Sequence, residues 1–321
     1  MILTVTANPA VDVIYELGAE VVSDGLNRAR GSQVHAGGKG INVSRAIAGA
    51  AGSRTDSVLR TAALLGGHTG KLFAAKLKEE GISVSGISTA CETRINVCAV
   101  SPDGEACEIN GPGGPVSDSE LAALTEFIES TVHSGDIVIL AGSLPRCVEN
   151  RGASYWAELI PGLKKRGCTV ILDCSGDGLN LAVNGPCPPD MIKPNLDELC
   201  ELLAIRPGAF QGFHEEEADT EEILFRRAEN ASEKIAERGI SVLATLGSHG
   251  AVFTPAGEPT CHIRQKSYPV SHVANVKGAG DTFLGVFTYN RFLLQKEVKE
   301  SLDAASRAAA AHVSGKTSAK L

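Results

Sequence analysis

Between residues 117 and 246 the chain alternates helical stretches with short, almost wholly apolar strands, and that alternation constrains the fold more than any other feature. Strand patterns at 136–140, 168–172, 191–192 and 240–246 are separated by helical patterns at 117–133, 155–166, 196–204 and 221–238. A strand that is apolar on both faces must be covered on both, so the pattern predicts a mainly parallel sheet between two helical layers. Ligands of such sheets bind beyond the carboxyl ends of the strands. Ser143, Asp173, Asn195 and Gly247 all fall at those ends.

The 321 residues suit one large α/β domain or two smaller ones, with enough chain for a substantial core. A net charge of −8 argues against a nucleic-acid partner, which demands clustered Lys and Arg, but leaves room for a local basic pocket. Nine cysteines without a zinc-type spacing read as reduced, small apolar residues, which points to a cytoplasmic setting. The first residues start as a strand and lack a secretory pattern, and no apolar run nears the ~20 residues of a membrane helix, so no membrane partner is expected.

The N-terminal third adds loops that carry chemistry. A β-branched strand at 2–7 ends in Asn8-Pro9 and delivers Asp12, either a turn-forming carboxylate or an acceptor for ligand hydroxyls. Weakly alternating residues 13–34 suggest short strands of a small second sheet. The string Ala36-Gly37-Gly38-Lys39-Gly40-Ile41-Asn42-Val43-Ser44 then feeds a helix, a place where backbone can closely approach an anion. It is not a Walker A loop, because Gln33 stands where that motif's first glycine belongs. A hairpin is expected from 93–100 to 105–109 across Pro102-Asp103-Gly104, with Arg94 near its start.

Near the other end, Gly278-Ala279-Gly280-Asp281 opens an apolar helical run. Small residues at a helix start expose amide hydrogens to a phosphate, and the helix dipole favours negative charge there. Asp281 is then either an ordinary N-terminal cap or a carboxylate retained for proton transfer. Two other signals fail. His214 precedes three glutamates, but Ala218 stands where a zinc-protease helix needs its second histidine, so an acidic loop is expected. Gly315-Lys316-Thr317 imitates the end of a Walker loop, yet Ala310 replaces the first glycine within a helical pattern.

The two glycine motifs, in this order and spacing, resemble the signatures of the PfkB family of carbohydrate kinases, and the resemblance covers nearly the whole chain. It implies a ribokinase-like three-layer α/β/α sandwich, α/β in class, with a mainly parallel central sheet and a small β-sheet lid. The chain, 1–321, would be one kinase domain, the lid built discontinuously from about 11–36 and 91–110. The segments at 6–12, Lys39, Thr93-Arg94 and 141–145 are similar to the branch that acts on phosphorylated ketohexoses.

The resemblance implies an ATP- and magnesium-dependent sugar-phosphate kinase, first of all one converting fructose 1-phosphate to fructose 1,6-bisphosphate. Tagatose 6-phosphate and fructose 6-phosphate are the alternative substrates, and a non-catalytic sugar-phosphate sensor is a more distant one. Asp281 would be the base and Gly278, Ala279 and Gly280 the anion hole. Asp12, Gly38 and Asn42 would bind sugar hydroxyls, while Lys39, Arg94, Ser143 and Arg28 would hold the sugar's phosphate. Lys193, Asn195, Thr245, Gly247 and Gly250 would serve the nucleotide, with Glu198 acting on magnesium through water. The lid's outer face would serve as a homodimer contact. Two departures from the family pattern stand out: Val286 where a small residue is usual, expected to crowd the helix behind the base, and a longer 51–65 segment, expected near the lid or substrate mouth.

Overall fold

The structure, a computed structural model, describes residues 1–148, 152–204 and 220–316. The strands of its first half are β1 (Ile2–Thr6), β2 (Ala10–Leu17), β3 (Ala29–Gly37), β4 (Leu59–Gly66), β5 (Val84–Thr89), β6 (Arg94–Val100) and β7 (Ala106–Asn110). Those that follow are β8 (Ile137–Ala141), β9 (Thr169–Asp173), β10 (Met191–Ile192), β11 (Ser241–Thr245), β12 (Gly250–Thr254) and β13 (Ile263–Lys266). The helices are α1 (Lys39–Ala51), α2 (Thr55–Val58), α3 (Gly67–Glu79), α4 (Asp118–Thr131), α5 (Tyr155–Lys165), α6 (Gly176–Asn184), α7 (Leu196–Leu202), α8 (Glu221–Ala236), α9 (Ala279–Thr288) and α10 (Val298–Val313).

The large sheet has the order β13-β12-β11-β10-β9-β8-β1-β4-β5. Pairings from β11 through to β5 are parallel, as the apolar strands require, whereas β12 and β13 add as antiparallel edge strands. Successive residues serve opposite helical layers. Val138 and Leu140 join the core under α4, α5 and α8, while Ile137 and Ile139 join the one under α1, α9 and α10. Both sides of the central strands are therefore removed from water, which is the main favourable term in holding the sandwich together.

Helix starts follow local chemistry. Ser117 caps α4 and Asn195 caps α7, each in a reciprocal box with the glutamate three residues on, Glu120 and Glu198. Thr220 caps α8 through the Ile223 amide. α6 has no side-chain cap, and it is held instead by burying Leu179, Ala182 and Val183.

The small sheet has the order β3-β2-β6-β7, with β2 and β6 parallel and both outer pairs antiparallel. It is anchored where Val11 and Ala36 pack with Ile41, Phe73, Leu77 and Ile82. It exposes Tyr15, Ile95 and Ile109. The acidic run after His214 lies outside the described residues. So does Thr317, although Ala310 sits inside α10, as its helical pattern indicated.

Candidate active site

The site is assembled by two helices that start beside one another at the carboxyl end of the sheet. An added Cβ on Gly285 would lie 2.7 Å from the Ala46 Cβ and 2.8 Å from the Val43 carbonyl, so α9 lies directly on α1 only because that side chain is absent. One turn earlier on both helices, Asn42 Nδ2 donates to Asp281 Oδ2 at 2.8 Å. Asp281 is 7% exposed. Burial, and then the neighbouring Asp173 charge, push its pKa above the usual carboxylate value, while Lys193, Asn42 and Lys39 pull it back.

Gly278 takes the left-handed conformation, φ 84°, at the N-cap of α9. The amides that follow are the first turn of a helix and have no intrahelical acceptor, although that of Ala279 reaches back to the Val276 carbonyl at 3.3 Å. The Lys193 ammonium lies 3.6 Å from where a side chain on Gly280 would begin. A buried cation thus flanks the row of amides.

Asp173, at the end of β9, is the pivot that sequence reasoning placed at a strand end without assigning it a role. It is fully buried, with Lys39 Nζ 3.1 Å from Oδ1 and Lys193 Nζ 3.3 Å from Oδ2. Lys39 is also 3.9 Å from Glu198 Oε1. Burial works against the Lys39 charge, but Asp173 and Glu198 outweigh it and raise the ammonium's pKa. Glu198 meanwhile accepts from the Asn195 amide at 2.9 Å, so the α7 cap and the lysine share one carboxylate.

On the small-sheet side, Asp12 accepts from Asn96 Nδ2 at 2.7 Å. A side chain on Gly37 would collide with the Asp12 carboxylate, which brings that carboxylate against the start of α1. Arg94 donates to the Asn8 carbonyl at 3.2 Å and the Gly111 carbonyl at 3.3 Å, and burial lowers its pKa. Its Nε is buried with no hydrogen-bond partner among the described residues. Asn8 Nδ2 in turn donates to Ser143 Oγ at 3.1 Å. Asn8 was legible only as part of a turn, and its link to Ser143 spans 135 residues.

Thr245 bridges to Asn195 across β11 and the start of α7, and donates its amide to the Pro194 carbonyl at 3.0 Å. Gly247 opens a short 3-10 turn with φ 57°, and Gly250 has φ 123° with the Gln265 carbonyl too close for any side chain. Gly38, φ 133°, caps α1 beneath Lys39.

Three expectations need correction. Arg28 is not brought to this cluster within one chain: β2 pairs Leu17 with Ala29 but Asp12 with His35. Arg28 is therefore exposed some five strand residues, roughly 17 Å, beyond Asp12. The extra length of the 51–65 segment falls in 52–58, away from the substrate mouth, while 59–65 belong to β4. Residues 52–58 form a 3-10 turn and α2 after the C-terminus of α1, the end opposite Lys39, where Arg54 bonds the Tyr289 hydroxyl at 2.5 Å. Val286 does not crowd the base, because the close approach is made by Gly285 and Val286 is buried among the apolar residues of α9 and α10.

The pfkB family carbohydrate kinase signature matches residues 5–320. The chain belongs to that family. Phosphofructokinase-2 from Escherichia coli, in complex with fructose-6-phosphate, superposes with a TM-score of 0.82 at 25% identity, covering 99% of this chain and 98% of that one. A protein from Thermotoga maritima described as a possible 1-phosphofructokinase superposes at 0.75 with 22% identity over 98% of this chain and 92% of that one. Arabidopsis thaliana ribokinase complexed with ribose and ATP gives 0.67 at 24% identity over 97% and 92%. This pfkB kinase is thus a phosphotransferase acting on a sugar hydroxyl, with the ribokinase-like fold and the family's use of ATP. Among its described residues no helix is long and apolar enough to cross a membrane.

Proposed function

We propose that the protein is a cytoplasmic kinase of ketohexose monophosphates, with fructose 1-phosphate as its first substrate and 1–321 as one catalytic domain. The observation that carries this reading is a continuous run of contacts. It leads from Arg94 through Asn8 to Ser143, whose neighbour Gly142 has its missing side chain facing Lys39 Cβ at 3.8 Å, then through Asp173 and Lys193 to Gly280, Asp281 and Asn42. Donor and acceptor would face one cleft.

In that cleft Arg94, Lys39 and Ser143 would grip the sugar's own phosphate, and the unpartnered Arg94 Nε favours an anion there. Asp12, Gly38 and Asn42 would orient hydroxyls. Asp281 would take the proton of the attacking hydroxyl as the new O–P bond forms and the bond from the γ-phosphorus to the β,γ-bridging oxygen breaks, releasing ADP. The amides of Gly278, Ala279 and Gly280, with Lys193, would neutralise charge on the transferred group. Thr245, Gly247, Gly250 and Asn195 would line the nucleotide side of the same strand ends.

Among the described residues no group of three His, Cys, Asp or Glu could cage a metal. That fits magnesium, which is normally held by phosphates with one or two carboxylates. When bound, the ion would supply charge neutralisation at the phosphates. Glu198, at 17% side-chain exposure, would orient water on it. The small sheet would act as the lid, excluding water so that transfer outcompetes hydrolysis. Its exposed Tyr15, Ile95 and Ile109 would form a homodimer face.

Fructose 6-phosphate is a second reading, favoured by the closer superposition on phosphofructokinase-2. ADP release assayed with fructose 1-phosphate, tagatose 6-phosphate, fructose 6-phosphate and free fructose separates these readings. No release with any phosphorylated sugar would overturn the proposal. With the active substrate, Arg94→Ala should raise KM about 10–100-fold, the scale of one lost charged hydrogen-bond set. An equal loss with free fructose would count against the phosphate grip.

A further inference from the structure

Lys277 stands directly before the left-handed Gly278, so its backbone forms the rim of the amide row. That backbone is fixed on both sides. Its N–H donates to Asn275 Oδ1 at 2.9 Å, and its carbonyl lies 2.7 Å from His312 Nε2 at the end of α10. Its side chain leaves the large-sheet body altogether and meets Glu108 of β7, Nζ to Oε2 3.1 Å, across 169 residues.

The register of the small sheet shows which face Glu108 occupies. β6 and β7 pair Cys98 with Glu108 and Asn96 with Asn110, while β2 and β6 pair Asp12 with Asn96. Partners opposite one another, and residues two apart, share a face. Glu108 therefore lies on the same face as Asp12, the one turned to the cleft. Among the described residues this is the one ion pair that joins the small sheet to the rest of the molecule.

We propose that Glu108 and Lys277 form the latch of the lid: their pairing docks the sugar-side sheet onto the rim of the phosphate-side amide row. The idea rests on the functional reading above, in which the small sheet closes the site. Lys277 and Glu108 are positioning residues that touch neither reacting group; they set how often the lid is shut. Both ends are substantially exposed, 56% for Lys277 and 43% for Glu108, so the pair is weak and screened by salt. Weakness suits a latch, which must open in every catalytic cycle.

The test is a double-mutant cycle on the full chain with Glu108→Gln, Lys277→Met and the double variant, assayed with the phosphorylated sugar the wild type uses. Glu108→Gln should raise the sugar-phosphate KM about two- to fivefold at low salt, the scale of an exposed pair, with kcat within about twofold. ATP hydrolysis in the absence of sugar should rise by a similar factor. The double variant should be no worse than Lys277→Met alone, and the wild-type advantage should disappear in about 0.5 M salt. Unchanged KM in Glu108→Gln, or strictly additive effects in the double variant, would overturn the latch. If the wild type phosphorylates no sugar phosphate, the functional reading fails instead. The pair is then judged by amide hydrogen exchange at 106–110, which should quicken about two- to fivefold in Glu108→Gln, and equal exchange would refute the contact.

Discussion

Two helices of this protein begin beside a carboxylate, and the two carboxylates behave oppositely. At the start of α3, Glu92 accepts the His68 amide at 3.0 Å, the Thr69 amide at 2.8 Å and the Thr69 hydroxyl at 2.6 Å. It is solvent-exposed, and the Thr69 hydroxyl and amide bonds, then the His68 amide, bring its pKa down to about 2. At the start of α9, Asp281 is buried, accepts from the Asn42 side chain, and is pushed up. A helix N-terminus favours negative charge in both cases. What differs is where the helix's amide hydrogens are spent. Glu92 consumes those of α3 as a cap, whereas Asp281 stands beside those of α9 without using them; the Ala279 amide reaches back to the Val276 carbonyl at 3.3 Å, and the other amides of that first turn are left for another anion.

The strongest way to break this contrast is Asp281→Asn. Asn42 can still donate to the amide oxygen, so folding and ligand binding should survive, while kcat should fall about 10³-fold if the carboxylate takes the proton. Stability should move the other way from activity. A carboxylate whose folded pKa is raised stabilises the fold only while protonated, and that contribution is lost as pH rises from 3.8 through the folded value. The variant should therefore melt no lower than wild type at pH 7.5, with any advantage closing as the pH falls towards 4. Near-normal turnover would remove the base assignment.

Next in size is Asp173→Asn. Asp173 is the one acidic group shared by Lys39 and Lys193, and Lys193 is only 5% exposed. Leaving a buried cation without its counter-charge costs about 3–5 kcal/mol, so thermal melts should show a large loss that a surface substitution would not give. A second consequence sharpens the comparison. Without the Asp173 charge, one cause of the raised Asp281 pKa is gone, and the acid limb of the kcat profile should shift to lower pH. A melt close to wild type would mean that the lysines find other partners.

The difference between the two helix starts also marks what could be read from the sequence. Asp281, Lys39 and the capping glutamates Glu120 and Glu198 are local signals: a glycine string or a three-residue spacing announces them. The parallel strands were legible because their apolar runs have no polar face. Glu92 and Asp173 were not, because their partners lie 23 and 134 residues away and no periodicity links them. The α6 sequence Gly176-Asp177-Gly178-Leu179-Asn180 reads as a loop, and only burial against the core makes it helical. The antiparallel β12 and β13 escaped because direction depends on where the preceding turn leads. The 52–58 segment was misplaced for a related reason: its length was visible, but not that a 13-residue helix carries it away from the site.

The smallest expected effect tests the α3 side of the contrast. Glu92→Gln keeps an acceptor for one amide and removes the charge. A depressed carboxylate pKa contributes stability at pH values above the unfolded value of 4.5, and that contribution is lost as pH falls towards about 2. The variant should thus melt about 1–2 °C below wild type at pH 7, with the gap narrowing between pH 5 and pH 2. Catalysis should be unaffected at neutral pH, because Glu92 faces α3 and not the cleft. A gap that stays constant with pH would show that shape and packing around Gly67, where a side chain would strike the Glu92 carboxylate, matter more than its charge. In that case the two carboxylates would differ in burial alone, and the free amide row at α9 would need another explanation than a cap deliberately left open.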